Sequence, residues 1–305
     1  MSEEAPPSRE ASIRAERIAL VSFVTSAVLA GGNAVAVRFS NRELPPLWGA
    51  GLRFALAAAI LLAVMAVMRL PIPRGRALVG AALFGALNFG GAFAFAYYGL
   101  IRIHAGLGQT ILALVPLATL LLAVLQRQER LRPAAVVGSV VATAGVAVIS
   151  GASIGGSVSL LSLLAILGGV LCFAEAAVLV RWFPRVHPVT INGVGMAAGA
   201  LLLLAGSLVA SEAWVLPSRA ETWVALAYVV PVGSVLVFVL YLIVLKHWAA
   251  SRAAYGFVLI PFVTVVVSAW LLDEPVGLSL VLGGALILAG VYIGALRPQP
   301  VRLHA

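Results

Sequence analysis

Long apolar segments recur along the whole chain, and short polar breaks separate them. A helix needs about 20 mostly apolar residues to cross the hydrocarbon core of a bilayer. Ten segments approach or exceed that length. They are Ile18–Val37, Leu47–Met68, Ala77–Tyr98, Ala105–Leu125, Pro133–Ile149, Ser159–Val180, Val189–Ala210, Thr222–Leu245, Ser251–Leu272 and Val276–Leu296. Their apolar positions are continuous and do not alternate, which favours membrane-spanning helices over the strands of a membrane barrel.

Composition excludes most other classes of protein. Of the 305 residues, 62% are apolar and 10% carry a charge, whereas a soluble domain carries roughly 25% charged residues. The chain has too few charges for the surface of a soluble enzyme, and it fits a nucleic-acid-binding module or a disordered protein equally poorly. Its single cysteine, Cys172, excludes an internal disulfide and a multi-cysteine metal site.

The basic residues predict the orientation of the chain in the membrane. Fifteen Lys and Arg residues lie in the two tails, in the loops after the even-numbered spans or, for Arg252, at the very start of the ninth span, whereas four lie in the opposite loops. Lys and Arg prefer cytoplasmic loops. We therefore expect both termini in the cytoplasm, and the net charge of +9 reflects this basic side facing an anionic leaflet.

The two halves of the chain repeat each other. A constant shift superposes Leu114 on Leu259, Pro116 on Pro261, Thr119 on Thr264, Glu129 on Glu274, Gly138 on Gly283 and Gly145 on Gly290. Each half holds five spans, so the second enters the membrane from the side opposite the first, as in many secondary transporters. We expect a cytoplasmic tail at 1–17, repeats at 18–150 and 151–296, and a second cytoplasmic tail at 297–305.

Several of these motifs resemble a known family. They are Gly31-Gly32-Asn33, Leu44-Pro45-Pro46, Arg53-Phe54, Pro116, Glu129, Pro188, Pro261 and Asp273-Glu274-Pro275. The chain resembles the EamA-type, ten-helix members of the drug/metabolite transporter superfamily, and it is similar to the aromatic amino-acid exporters of that group. The resemblance implies an all-α integral membrane protein with ten transmembrane helices in two inverted five-helix repeats.

Three polar side chains inside the spans are candidates for binding a solute. Glu175 is an acidic residue well inside a span, where a carboxylate is costly and often functional. It is either a proton or ammonium site, or a wetted group paired with Arg181 or Arg185. Asn33 and Asn88 are amides that either bind a zwitterion or bridge neighbouring helices.

Aromatic and polar residues extend this set. Phe89, Phe93 and Tyr241 are the best candidates for rings facing a cavity, although packing or interfacial belts also explain aromatic residues in membrane spans. Gln109, with its neighbour Thr110, and Tyr255 lie one turn into their spans and are expected at the rim of an aqueous cavity.

Two prolines are candidates for gating. Pro116 and Pro261 occupy matching places in the two halves. Proline removes a helical hydrogen bond and bends a helix, so these kinks either act as gates or are static bends. The paired glycines at 138, 145, 283 and 290 predict close helix packing.

These patterns favour a secondary transporter. We expect it to export small organic solutes across the inner membrane by alternating access, and aromatic or apolar amino acids are the favoured solutes. An exporter of drugs or other metabolites on the same fold, a membrane-embedded enzyme and a scaffold are the alternatives. We expect no catalytic residues, metal, cofactor or nucleic-acid partner; the partners would be the solute and the lipid bilayer, and the chain a monomer or weak homo-oligomer.

Overall fold

Helices make up the regular structure of this protein. The computed structural model describes residues 9–100, 111–151, 160–272 and 278–296, and within these ranges it contains no strand. We number the α-helices in chain order. They are α1 Arg9–Ser40, α2 Pro46–Val67, α3 Arg76–Gly85, α4 Ala92–Leu100, α5 Val115–Leu125, α6 Pro133–Ser150, α7 Leu160–Leu179, α8 Pro188–Val209, α9 Ala220–Val229, α10 Val237–His247, α11 Ala250–Ala253, α12 Gly256–Leu272 and α13 Leu278–Val291.

The apolar segments of the sequence form these helices. Five stretches are long and apolar enough to cross a membrane, within the ranges given above: Pro46–Val67, Arg76–Ala96, Leu160–Trp182, Pro188–Val209 and Ala220–His247. Shorter apolar helices are Val115–Leu125, Pro133–Val148, Ala250–Thr264 and Val281–Leu296. Proline opens α2, α6 and α8, where its missing N–H has no helical partner to lose.

One predicted boundary differs from the structure. The span Ile18–Val37 is part of a longer helix, because α1 already begins at Arg9. The residues from Arg9 to Arg17 are mostly charged or polar, so a search for apolar runs does not find them. The helix extends beyond the apolar segment because its backbone N–H and C=O groups continue to hydrogen-bond to one another there.

Helix α2 packs along α8, and α6 packs along α13. Glycines allow the second of these contacts. A Cβ added at Gly138 would lie 2.7 Å from the carbonyl oxygen of Gly290, and one at Gly145 would lie 2.6 Å from that of Gly283. Position 138 thus meets 290 and position 145 meets 283, so α6 and α13 run antiparallel. The close packing expected of these glycines is confirmed.

Two π-helical turns interrupt the membrane helices. The first, Ala86–Gly91, joins α3 to α4, and the second, Pro231–Leu236, lies between α9 and α10. They coincide under the same shift that superposes Pro116 on Pro261. Further turns are a 3₁₀ turn, Val180–Trp182, after α7 and a π turn, Tyr292–Leu296, after α13.

The two candidate gating prolines do not have the same surroundings. Pro116 lies in the first turn of α5, directly after a turn at 113–114, whereas Pro261 lies inside α12. The helix is thus interrupted just before Pro116 and continues through Pro261, and the gating role of both prolines stays a prediction. At the start of a helix proline removes no helical hydrogen bond, and the chain breaks before it.

Candidate functional site

A small cavity lies at the centre of the protein, and we call it the central chamber. Its volume is about 140 Å³. Its walls come from α1, α4, α7, the second π turn, α10, α11 and α12. The lining residues are Phe23, Ser26, Ala27, Ala30, Asn33, Phe93, Phe173, Gly233, Val237, Phe238, Tyr241, Val244, Ala253, Gly256, Phe257 and Ile260.

Aromatic rings in mutual contact form much of the chamber wall. The centroids of Phe93 and Phe173 are 5.9 Å apart, and those of Phe173 and Phe257 are 4.9 Å apart. Tyr241 continues the series, with its ring centroid 6.0 Å from that of Phe257. Tilted and edge-on pairs at these distances are favourable for aromatic groups, so these four rings form a packed aromatic wall.

Asn33 gives the chamber a polar group. Its amide nitrogen is 3.5 Å from the carbonyl oxygen of Gly233, and its own Oδ1 accepts no hydrogen bond from the residues that the structure describes. A buried carbonyl oxygen without a donor costs free energy until a ligand or water supplies one. The amide therefore offers an acceptor to a solute with an N–H or O–H group.

Arg53 holds the second π turn from behind the chamber. Its side chain is 3% exposed. The guanidinium donates from Nε to Ser234 Oγ (2.6 Å) and from Nη2 to the carbonyl oxygen of Gly233 (3.1 Å). It also lies 4.9 Å from the ring centroid of Phe54 and 5.7 Å from that of Phe93. This arginine therefore connects α2 to the chamber wall, and its hydrogen-bond partners lie in the interior of the protein.

The structure places Asn88 and Phe89 in the protein core. Both side chains are fully buried, and neither lines the central chamber. The ring of Phe89 packs between those of Phe84 (5.8 Å) and Phe238 (4.7 Å). The amide of Asn88 has no hydrogen-bond partner among the described residues. Of the rings expected to face a cavity, Phe93 and Tyr241 line the chamber and Phe89 does not.

Tyr255 joins helices and lies away from the rim of the chamber. Its side chain is fully buried. The hydroxyl donates to the carbonyl oxygen of Ala135 (2.7 Å) and lies 3.0 Å from Ser139 Oγ. A Cβ at Gly294 would overlap that hydroxyl. Tyr255 therefore links α6 to the segment between α11 and α12 and to the turn after α13.

Glu175 does not line the central chamber and pairs with a glutamine. Gln126 Nε2 donates to both carboxylate oxygens, at 2.9 and 2.7 Å. Trp182 Nε1 donates to Gln126 Oε1 at 2.7 Å. Glu175 is half-buried, and its partner is an amide, so neither Arg181 nor Arg185 is its direct partner. Gln109 and Thr110 lie outside the described residues.

Sequence reasoning missed several lining residues, among them Phe23, Ser26, Phe173 and Phe257. One signal was available for Phe238, because the repeat shift carries Phe93 onto it, and both rings line the chamber. For the others the sequence holds no comparable signal, since a phenylalanine in a span is as well explained by packing. Neither candidate gating proline lines the chamber, although Ile260 beside Pro261 does.

Carboxylates in the loops hold the ends of the helices together. Glu43 accepts hydrogen bonds from the backbone N–H and hydroxyl of Ser218, just before α9. These bonds lower the pKa of Glu43 to about 2, with the Ser218 hydroxyl as the main cause. Glu212 accepts from the backbone N–H groups of Leu47 (3.2 Å) and Trp48 (2.7 Å), in the first turn of α2.

A second, larger hollow of about 690 Å³ lies at one end of the molecule, and we call it the basic hollow. It lies between the 3₁₀ turn, the 183–187 segment and the last turns of α10. Leu242 and Leu245 of α10 line this hollow, whereas Tyr241 and Val244 of the same helix line the central chamber. The two spaces are therefore separated by α10.

Long apolar helices around a chamber define the chain as an integral membrane protein of the transporter type. The model of the EamA-like transporter family matches it twice, at residues 17–151 and 160–295. The chain therefore belongs to the EamA-like transporter family. Membership supports transport and not catalysis as the activity, and it supports the drug/metabolite transporter part of the resemblance.

Similar proteins carry compatible descriptions. The uncharacterized transporter YvbV of Bacillus subtilis is 28% identical over 270 residues, which is 82% of each chain. An uncharacterized transporter of Archaeoglobus fulgidus is 27% identical over 85% of this chain and 91% of its own. One crystal structure of a protein matches with a TM-score of 0.78 and 23% identity over 91% of this chain and 96% of that one; this likeness supports the fold alone.

Proposed function

We propose that this protein is a secondary transporter that exports small organic solutes across the inner membrane by alternating access, with both termini in the cytoplasm. The observation that carries the proposal is the central chamber. Phe23, Asn33 and Phe93 lie in the first match to the family model, and Phe173 and Tyr241 lie in the second. A site shared by two halves is one that their relative movement opens to either side.

Helix packing supports the inverted arrangement of two five-helix repeats. Under the repeat shift Gly138 corresponds to Gly283 and Gly145 to Gly290. The contact of 138 with 290 therefore corresponds to the contact of 145 with 283. The repeat shift therefore exchanges these two contacts. Because the two helices are antiparallel, such an exchange corresponds to a two-fold axis perpendicular to them, which lies in the membrane plane when the helices span the bilayer.

We propose aromatic or apolar amino acids as the solute class. The rings of Phe93, Phe173 and Phe257 suit an apolar side chain, and Asn33 Oδ1 offers an acceptor to an ammonium group. Pockets for drug-sized ligands hold about 300–1,000 Å³, whereas the central chamber holds about 140 Å³. This size favours a small solute over a drug, which is the second candidate solute.

The experiment is a flux assay with purified protein in liposomes. Radiolabelled phenylalanine, leucine, glutamate and one cationic drug are compared, with and without a pH gradient. We expect flux of phenylalanine and leucine that saturates, and little flux of the others. Drug flux without amino-acid flux would replace the proposed solute, and the absence of flux for every solute would contradict the proposal.

Two matched variants connect the flux to the chamber. Phe93→Leu changes a ring that lines the chamber, whereas Phe95→Leu changes a ring of the same helix that is 45% exposed. We expect Phe93→Leu to raise the half-saturation concentration for phenylalanine about threefold to tenfold, because loss of a ring contact costs about 0.5–1.5 kcal/mol. Phe95→Leu should leave the half-saturation concentration unchanged. Equal effects of the two variants would mean that transport does not depend on the chamber.

A further inference from the structure

The basic hollow carries an excess of positive charge. Its titratable lining residues are Glu129, Arg181, Arg185, His187, Lys246 and His247. The lining therefore holds one carboxylate against three Lys and Arg side chains, which are cationic at neutral pH. A concave surface with one sign of charge and apolar walls concentrates ions of the opposite sign.

Two of these ionic groups already have partners. Glu129 accepts hydrogen bonds from the backbone N–H and the hydroxyl of Ser251, at the start of α11. Arg181 donates to the carbonyl oxygens of Leu245 and Trp248, where α10 ends. Both side chains hold helix ends in place and form the floor of the basic hollow.

Arg185 and Lys246 are differently placed. Both are exposed, and neither makes a hydrogen bond or an ion pair with the described residues. They enter the basic hollow from different segments, Arg185 from the 183–187 segment and Lys246 from the last turn of α10. Two exposed cations without a direct ionic partner among the described residues, on two segments that line one hollow, suit an anion.

The rest of the wall indicates what the anion carries. Phe183, Trp248 and Leu245 also line the basic hollow. An apolar wall beside two cations is complementary to a molecule with an apolar group and an anionic group. Because α10 separates the basic hollow from the central chamber, a molecule held here is one helix thickness from the transport site.

We propose that the basic hollow is a separate binding site for a carboxylate-bearing solute, held by Arg185 and Lys246, where the solute docks before it reaches the central chamber. The docking step rests on the proposed function; the binding step does not. The site favours zwitterionic and anionic solutes over cations. Binding of the solute there precedes any movement of the helices.

The test measures binding without transport. Isothermal titration calorimetry of the purified protein compares benzoate with benzamide, its neutral counterpart. We expect benzoate to bind more tightly than benzamide, and more weakly as the salt concentration rises. The double variant Arg185→Gln/Lys246→Gln should weaken benzoate binding about fivefold for each charge removed and leave benzamide unchanged.

A matched double variant controls for net charge. Arg74→Gln/Arg76→Gln removes the same charge from exposed positions just before α3 and at its first residue, outside the basic hollow. It should leave benzoate binding at the original level. Equal benzoate affinity in the two double variants would overturn the site.

An anionic lipid headgroup has the same chemistry, so the titration is repeated in nanodiscs of phosphatidylcholine and of phosphatidylglycerol. Retained benzoate binding in both supports a solute site, whereas loss in phosphatidylglycerol alone overturns it in favour of a lipid. Benzoate binding without amino-acid flux would contradict the proposed function only. Flux with equal binding in both double variants would contradict this inference only.

Discussion

At the scale of single residues, two buried amides have different surroundings. Asn33 lines the central chamber beside Gly233, whereas Asn88 is fully buried in the core and its amide has no hydrogen-bond partner among the described residues. The sequence could identify both amides as unusual inside apolar spans. It could not separate their roles, because the neighbour that covers a helix face comes from a distant part of the chain.

The orientation of Asn88 has a local cause. In an uninterrupted α-helix, positions 84 and 88 share a face because they are four residues apart. The π turn begins at Ala86, between these positions, and a π turn takes more residues per turn than an α-helix does. The α-helical period therefore cannot be used to predict which face of the helix carries Asn88.

Alanine variants of the two amides should separate their roles. Asn33→Ala should raise the half-saturation concentration for phenylalanine about twofold to tenfold, because one hydrogen bond contributes about 0.5–1.5 kcal/mol. Asn88→Ala should leave half-saturation of the folded fraction unchanged. Liposome flux and thermal unfolding of each variant measure both quantities. A large rise for Asn88→Ala alone would place solute contact at Asn88.

At the scale of elements, the second π turn depends on close approach. A Cβ at Gly233 would lie 2.1 Å from Asn33 Oδ1, while Arg53 donates to the Gly233 carbonyl oxygen. The amide of α1 and the guanidinium of α2 thus meet at one residue of the chamber wall. A side chain there would push α1 away, although alanine is the better helix former.

Glycine-to-alanine variants test this contact. Gly233→Ala should lower stability by about 1–3 kcal/mol, as overpacked positions do. Gly206→Ala provides the control, because its nearest neighbour, Leu47 Cδ1, would be 3.5 Å away. That change should leave stability unchanged or raise it by up to about 1 kcal/mol. Thermal unfolding in detergent measures both, and equal behaviour would mean that Gly233 tolerates a side chain.

The loop between α1 and α2 is held to α9 by a charge. The pKa of Glu43 is lowered from its ordinary 4.5 to about 2 by hydrogen bonds from Ser218 and neighbouring groups. A depressed carboxyl pKa stabilises the folded state above about pH 4.5, and this contribution disappears as the pH falls towards 2.

Glu43→Gln should therefore lower the unfolding temperature at pH 7, and the difference from the original protein should shrink at pH 3. Glu221→Gln is the control, because Glu221 is an exposed carboxylate in the first turn of α9. Its effect should be small at both pH values. A difference for Glu43→Gln that stays constant between pH 7 and pH 3 would mean that the charge is not the source of stability.

At the scale of the whole molecule, the regular parts of the fold follow from the sequence. Helix α2 coincides with its predicted span almost to the residue, and so does α8. The length of the apolar segment and the proline that begins it determine the bounds of both helices. The central chamber is different, because it depends on contacts among α1, α4, α7 and α12, and no local pattern of residues reports which side chains of four separate helices face one another.

The repeat pattern contains more than residue identities. The shift that superposes Pro116 on Pro261 also superposes the two π turns, Ala86–Gly91 and Pro231–Leu236, whose letters differ. The same backbone irregularity thus falls within both segments that match the family model, and π turns are rare within helices. The Pro116 region departs from this correspondence, because Pro116 lies in the first turn of α5 and Pro261 lies inside α12.

The arrangement in the membrane can be tested by labelling from one side. In the proposed topology the loop between α5 and α6 is cytoplasmic and the loop between α8 and α9 faces outwards. Single cysteines are placed in a Cys172→Ser background at Arg130 and Ala213, both of which are exposed. A membrane-impermeant maleimide applied to intact cells should label Ala213→Cys and not Arg130→Cys, and permeabilised cells should label both. Labelling of Arg130→Cys in intact cells would reverse the orientation. Labelling of both from outside would place the two loops on one side of the membrane, and the proposed arrangement of two inverted halves would then be excluded.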